Sequence, residues 1–239
     1  KYVHYLNTKG YQRSSINRKL SVLRSLFNYV STNSDFDEIT ISMISKSKIQ
    51  KKLPSIISIE QTERLISSID VTNLSGVRDR ALIETLYTTG MRVSEISSLN
   101  IDDFIDKNKI KLMGKGAKPR VVFMSGTART WIDQYIKLCS RKFKNHQNNA
   151  LFLNRFGARL SVRSIQNIVK KYGYKSGIGV SLHPHLLRHT FATHMLSNGA
   201  NLRTVQALLG HSKVSTTQIY TQVANSDMRK SYFNSHPRV

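Results

Sequence analysis

The chain has 239 residues, with 37 Lys and Arg against 14 Asp and Glu, for a formal charge of +23. That excess is far larger than solubility requires and predicts a polyanionic partner, nucleic acid first. A single cysteine, Cys139, excludes an internal disulfide framework, and no apolar run approaches the ~18 residues of a membrane span.

The charge is also unevenly placed. From Gln134 onward sixteen Lys and Arg face one acid, Asp227, whereas a merely solvated surface intersperses both signs. Cys139 ends the apolar segment Trp131–Cys139 and is expected to be a buried structural thiol. The lone thiol and the lack of a signal-peptide pattern predict a cytoplasmic protein with no membrane partner, and the expected nucleic-acid partner makes it nucleoid-associated.

Residues 1–50 read as helical. Ile16, Leu20, Leu23, Phe27 and Val30 line one helical face, and Arg13, Arg18 and Lys19 are candidate phosphate contacts on other faces. The stretch Ser45–Ser58 is basic and then carries Pro54, so residues 51–58 read as a linker, with Lys51 and Lys52 against a nucleic-acid backbone. A second domain, 59–239, follows.

Glu60–Ile69 and Val77–Thr89 are predicted helices, and Gly90 ends the second. Thr89-Gly90-Met91-Arg92-Val93-Ser94-Glu95 then starts a new turn. Arg92 is expected to face an anion while Glu95 holds the local fold, the alternative being a purely structural Arg92–Glu95 ion pair. Lys109–Met113 and Pro119–Met124 alternate as two strands joined by a Gly-rich turn carrying Lys115, with Lys118 and Arg120 as further phosphate contacts. The turn is not a nucleotide-binding P-loop, because it lacks the G-x4-G-K-[ST] spacing and leads into a strand.

Thr127–Ser140 is a predicted helix. Ser161 caps another, with Val162, Ile165, Ile168, Val169 and Tyr172 inward and Arg163, Lys170 and Lys171 as candidate DNA contacts. The densest motif comes next. His185–Asn198 reads as a helix opened by Pro184 and closed by Gly199, and Asn201 caps a second helix closed by Gly210. His211 follows in the loop, and Tyr220 lies nine residues later. The fold expected from this order is mainly α with a small β-hairpin or sheet (α+β).

His185-Leu-Leu-Arg188, Leu209-Gly210-His211 and Tyr220, with the Arg92 box and the Gly-Lys-Gly turn at Lys115, resemble the signature of the tyrosine recombinases, the phage integrase family, and its Xer branch most. The ending His236-Pro237-Arg238 resembles Xer proteins as well. The resemblance implies a catalytic domain over 59–239, preceded by a partial helical core-binding domain over 1–50. It also implies strand cleavage and rejoining through a 3′-phosphotyrosine on Tyr220, without metal, ATP or any other cofactor. Arg92 and Arg188 would fork onto the scissile phosphate, because a guanidinium offers a bidentate geometry that an ammonium cannot. His185 would accept a proton or polarise the phosphate, His211 would donate to a phosphoryl oxygen, and Lys115 would protonate the leaving 5′-oxygen.

The partners so implied are a double-stranded DNA site, a self or paralogous recombinase in a tetrameric synapse, and a DNA translocase activator. Chromosome-dimer resolution, linked to chromosome partition and cell division, is the expected role. Integration of a phage or mobile element shares the chemistry, and a non-catalytic DNA-binding regulator is the alternative of another class. A zinc site on His185 and His189 lacks the glutamate of H-E-x-x-H and a third ligand. His183, His189 and His194 are expected in packing or capping. Ala224, Met228, Tyr232 and Phe233 give the tail an apolar stripe expected to dock into a neighbouring protomer.

Overall fold

The computed structural model describes residues 1–33, 56–113, 119–143, 149–210 and 223–239, which fall into two units, Lys1–Pro54 and Ser55–Val239. In the first unit α1 (Tyr2–Thr8) and α2 (Arg13–Asn33) meet through Leu6, Ile16, Leu20 and Leu23. The inward stripe of α2 is shorter than its periodicity suggests, because Phe27 is 37% exposed. Arg13 and Arg18 are exposed, while Lys19 lies over the Tyr11 ring.

The second unit carries α3 (Ile59–Ser67), α4 (Leu74–Thr89), α5 (Val93–Ser98), a 3₁₀ turn (Ile101–Asp103) and the strands β1 (Phe104–Asp106), β2 (Lys109–Met113) and β3 (Pro119–Phe123). It continues with α6 (Gly126–Lys142), α7 (Val162–Lys175), α8 (Pro184–Ser197), α9 (Leu202–Leu209) and α10 (Val223–Ser235). The fold is thus mainly α with one small antiparallel sheet, ordered β1-β2-β3. The linker reading ends too late. Ile57 is fully buried, its N–H donates to Thr190 Oγ1, and Ser58 caps α3 through a capping box with Gln61. These residues belong to the second unit because burying Ile57 and satisfying the first turn of α3 fix them there. Lys51 and Lys52 lie outside the described residues.

Caps follow the sequence elsewhere. Asn73, Ser125, Ser161 and Asn201 each accept a backbone N–H at the start of α4, α6, α7 and α9. α4 is enclosed nearly all round: Ala81, Leu82, Ile83 and Leu86 are buried, and so are the polar Asp79, Glu84, Thr85 and Thr88. Cys139 is half-buried beside Tyr135, and burial raises its thiol pKa.

The tail corrects the docking expectation. Tyr232 is fully buried, donates to Thr88 O and joins Phe123, Phe191, Met195 and Leu209, with Met228 and Phe233 packed alongside. The stripe therefore closes over its own domain; the Ala224 side chain lies outside the described residues. The last residues fix it further. Arg238 donates through Nε and Nη2 to both oxygens of Glu84, a fully buried carboxylate that also takes Arg80 Nε. A buried charge is tolerated only with such partners.

His236 sits among the rings of Tyr87, Phe191 and Tyr232, and burial pushes its pKa down to about 3. The unfolded histidine titrates near 6.5, so the folded state binds fewer protons below that pH. His236 therefore contributes stability that is full above pH 6.5 and is lost progressively as pH falls towards 3, with a slope of up to ~1.4 kcal/mol per pH unit. Denaturant titrations from pH 7.5 to 5 should show wild type losing stability more steeply than His236→Asn. Equal slopes would contradict the assignment.

Candidate active site

Arg92 is placed by the end of α4. Gly90 adopts φ 60°, and a Cβ there would stand 2.5 Å from Phe191 Cδ1 and 2.9 Å from Leu209 Cδ2. Only glycine allows the helix to turn this close to α8 and α9. Arg92 then becomes the N-cap of α5, where its backbone N–H donates to Glu95 Oε2 at 2.7 Å and its Nη1 to Oε1 at 2.9 Å. The remaining terminal nitrogen, Nη2, reaches Gly210 O at 3.3 Å. The side chain stays 37% exposed.

Arg188 lies one turn into α8, which His183 caps by accepting the Leu186 N–H. Its Nη1 donates to Gly90 O at 2.8 Å and its Nη2 to Leu209 O at 2.6 Å. Burial, then the charges of Arg92 and Arg120, push its pKa down to about 10, with Glu95 opposing; it remains a cation at neutral pH. Both guanidiniums thus converge on Leu209-Gly210, the C-terminal turn of α9, whose outward carbonyls carry the negative end of the helix dipole. Arg188 is preorganised by backbone oxygens, whereas Arg92 is held both by Gly210 O and by its ion pair with Glu95.

His185 is exposed at the start of α8 and lines an open groove with Arg163, Gln166, Asn167 and Lys170 of α7. The two cations were legible in the sequence; the two amides were not singled out. Lys171 lies instead over the Tyr172 ring. His194 is buried, with Nδ1 2.8 Å from Tyr87 Oη, so it belongs to packing. Lys115, Lys118, His211 and Tyr220 lie outside the described residues. Among the described residues no cluster of three or more His, Cys, Asp or Glu could hold a metal ion.

Arg120 departs from the expected phosphate contact. Its Nη1 and Nη2 donate to Glu95 Oε1 and Oε2, both at 2.8 Å, and its side chain is 13% exposed. The register pairs it with Leu112, which is buried, so strand alternation turns it inward. That alternation was the signal in the sequence, outweighed there by the basic composition of the hairpin. With Arg92, Arg120 and Arg188 around one carboxylate, the locus keeps a net positive charge and suits an anion.

Residues 56–227 match the phage integrase family. The chain is 40% identical over 99% of its length to a tyrosine recombinase XerC from Chlamydia caviae, covering 76% of that protein. It is 39% identical to a tyrosine recombinase XerD from Staphylococcus haemolyticus, over 96% of this chain and 79% of that one. In three dimensions it is similar to a XerH site-specific recombinase bound to a palindromic difH substrate in a post-cleavage complex, at TM-score 0.75 and 25% identity over 98% of this chain and 68% of that one. With its two arginines gathered on one helix-terminal turn, the chain belongs to the phage integrase family and is a tyrosine site-specific recombinase of the Xer type.

Proposed function

We propose that the chain cleaves and rejoins double-stranded DNA through a covalent 3′-phosphotyrosine on Tyr220. The observation that supports this most is the convergence of Arg92 and Arg188 on Leu209-Gly210, immediately before His211 in the chain. Two preorganised forks can bind the non-bridging oxygens, whose charge grows in the pentacoordinate transition state. The Tyr220 oxygen attacks phosphorus, the 5′-oxygen leaves with a proton from Lys115, and the ester retains the bond energy for rejoining. His185 takes or shares the phenol proton, and His211 donates to a phosphoryl oxygen.

DNA as the substrate is supported by the +23 charge, by Arg163 and Lys170 beside His185, and by the difH-bound relative. Resolution of chromosome dimers, in a tetrameric synapse with itself or a paralogous recombinase and under a translocase activator, is the role proposed from the Xer resemblance. Incubation with a nicked suicide substrate tests the chemistry: a protein–DNA adduct that survives denaturant is expected. Its absence at every site tried, with binding intact, would favour a non-catalytic regulator.

Lys115→Ala should cleave poorly when the leaving group is oxygen and recover when the scissile phosphate carries a 5′-bridging sulfur, because a thiolate departs without protonation. A sulfur substrate cut no better than the oxygen one would remove Lys115 from the general-acid role.

A further inference from the structure

Glu95 is shared, and the sharing is saturated. Oε1 accepts Arg92 Nη1 and Arg120 Nη1; Oε2 accepts the Arg92 N–H and Arg120 Nη2. A carboxylate offers about four acceptor sites, so all are filled, and the side chain is only 11% exposed. The consequence falls on Arg92. With Arg120 holding both oxygens, Glu95 receives only one of the terminal nitrogens of Arg92, and the other is turned to Gly210 O. Without Arg120 the carboxylate would be free to rotate into the bidentate fork that arginine and carboxylate favour, drawing Arg92 away from the turn.

Arg120 also touches that turn. A Cβ on Gly210 would stand 2.9 Å from Arg120 Nε and 3.0 Å from its Cδ and Cζ, so the guanidinium packs flat against the glycine that precedes His211. Its Nε–H is buried with no hydrogen-bond partner among the described residues, an arrangement that opposes stability. This is how a group held for its position is found, not one chosen for the strength of its bonds.

We propose that Arg120 is a positioning residue of the active site. By occupying Glu95 and backing Gly210, it keeps the Arg92 guanidinium available to the scissile phosphate, and it touches no substrate itself. The assignment rests on the proposed phosphate-binding role of Arg92. It accounts for an inward-facing arginine on β3 of a basic hairpin, a residue that phosphate contact alone would not explain.

The experiment is a double-mutant cycle on single-turnover cleavage of the nicked suicide substrate, using Arg120→Gln, Glu95→Gln and the double variant. Site affinity is measured in parallel and all rates are taken well below each variant's melting temperature. Arg120→Gln should keep affinity within about threefold while cleavage falls on the order of 100-fold, the scale of a misplaced catalytic group. Arg120→Lys, which keeps the charge and loses the fork, should recover little of it. The double variant should cleave no more than about threefold slower than the slower single variant, because both changes release the same restraint. Losses that multiply, or an affinity that falls with the rate, would make Arg120 a direct phosphate contact and overturn the proposal. So would cleavage at the wild-type rate. If wild type itself forms no adduct, the recombinase chemistry fails and this role falls with it; a wild-type adduct with an unaffected Arg120→Gln overturns this role alone.

Discussion

Tyr220→Phe is expected to abolish the covalent adduct while leaving affinity for the DNA site within about twofold. The substitution removes one oxygen, the only atom of that side chain able to form the phosphodiester, and leaves every cation in place. A free phenol has a pKa near 10 and is a poor nucleophile until cations lower it or a base takes its proton. Most other tyrosines of the second unit are placed against that requirement. Burial raises the phenol pKa of Tyr87, Tyr135 and Tyr232 well above the usual range and that of Tyr172 to about 12. Their hydroxyls are engaged with His194, the Leu153 N–H, Thr88 O and Asp79. Tyr174, 92% exposed on α7, is the sharper control: Tyr174→Phe should form adduct at the wild-type rate. Adduct from Tyr220→Phe at that rate would remove Tyr220 as the nucleophile.

Local signals carried much of this architecture. Asn201 and Gly210 bound α9 because an Asx side chain satisfies a first-turn N–H and glycine takes the left-handed C-terminal residue. The β2–β3 pairing, Lys109↔Phe123 through Met113↔Pro119, follows from alternation on both sides of a short turn. β1 escaped notice because three residues are too few to show a period, and its pairing with β2 shifts register between Phe104 and Asp106. The tail failed for another reason. An apolar stripe states that a face will be covered and not by what; the cover here is Phe123, Phe191 and Met195, far away in sequence. The ion pair between Arg238 and Glu84 spans 154 positions and has no local signature at all.

At the site the same division holds. The Arg92 and H-x-x-R boxes were legible as motifs, and so was the arginine-to-acid spacing of Arg92 and Glu95. What the spacing could not supply is that Glu95 serves two arginines, since the second arrives from a strand 25 residues away. Nor could it supply the shared target of Arg92 and Arg188, because both bind backbone carbonyls, and every residue has one.

Arg188→Lys is therefore expected to lower cleavage on the order of 10²–10³-fold, the scale of losing one preorganised transition-state donor, with DNA affinity changed far less. Arg188 bridges Gly90 O and Leu209 O with two nitrogens, a span that a single ammonium cannot reproduce while also facing a phosphate. The surroundings add a second penalty. They already depress a guanidinium to about 10, and a lysine starts lower, near 10.4 against ~12.5 or above, so the same burial and neighbouring arginines would push it towards neutrality. A depressed amine loses its charge as pH rises. The residual cleavage of Arg188→Lys should accordingly fall between pH 7 and 9 relative to wild type at each pH, whereas the wild-type arginine stays charged throughout that range. Arg92→Lys separates the two effects: Arg92 is more exposed, so its variant should lose the fork, and cleavage with it, with a weaker pH dependence. Single-turnover rates and binding isotherms across that range decide the matter. Parallel losses in affinity and rate would mean that these arginines only hold DNA, and equal pH profiles for the two lysine variants would remove the argument from burial.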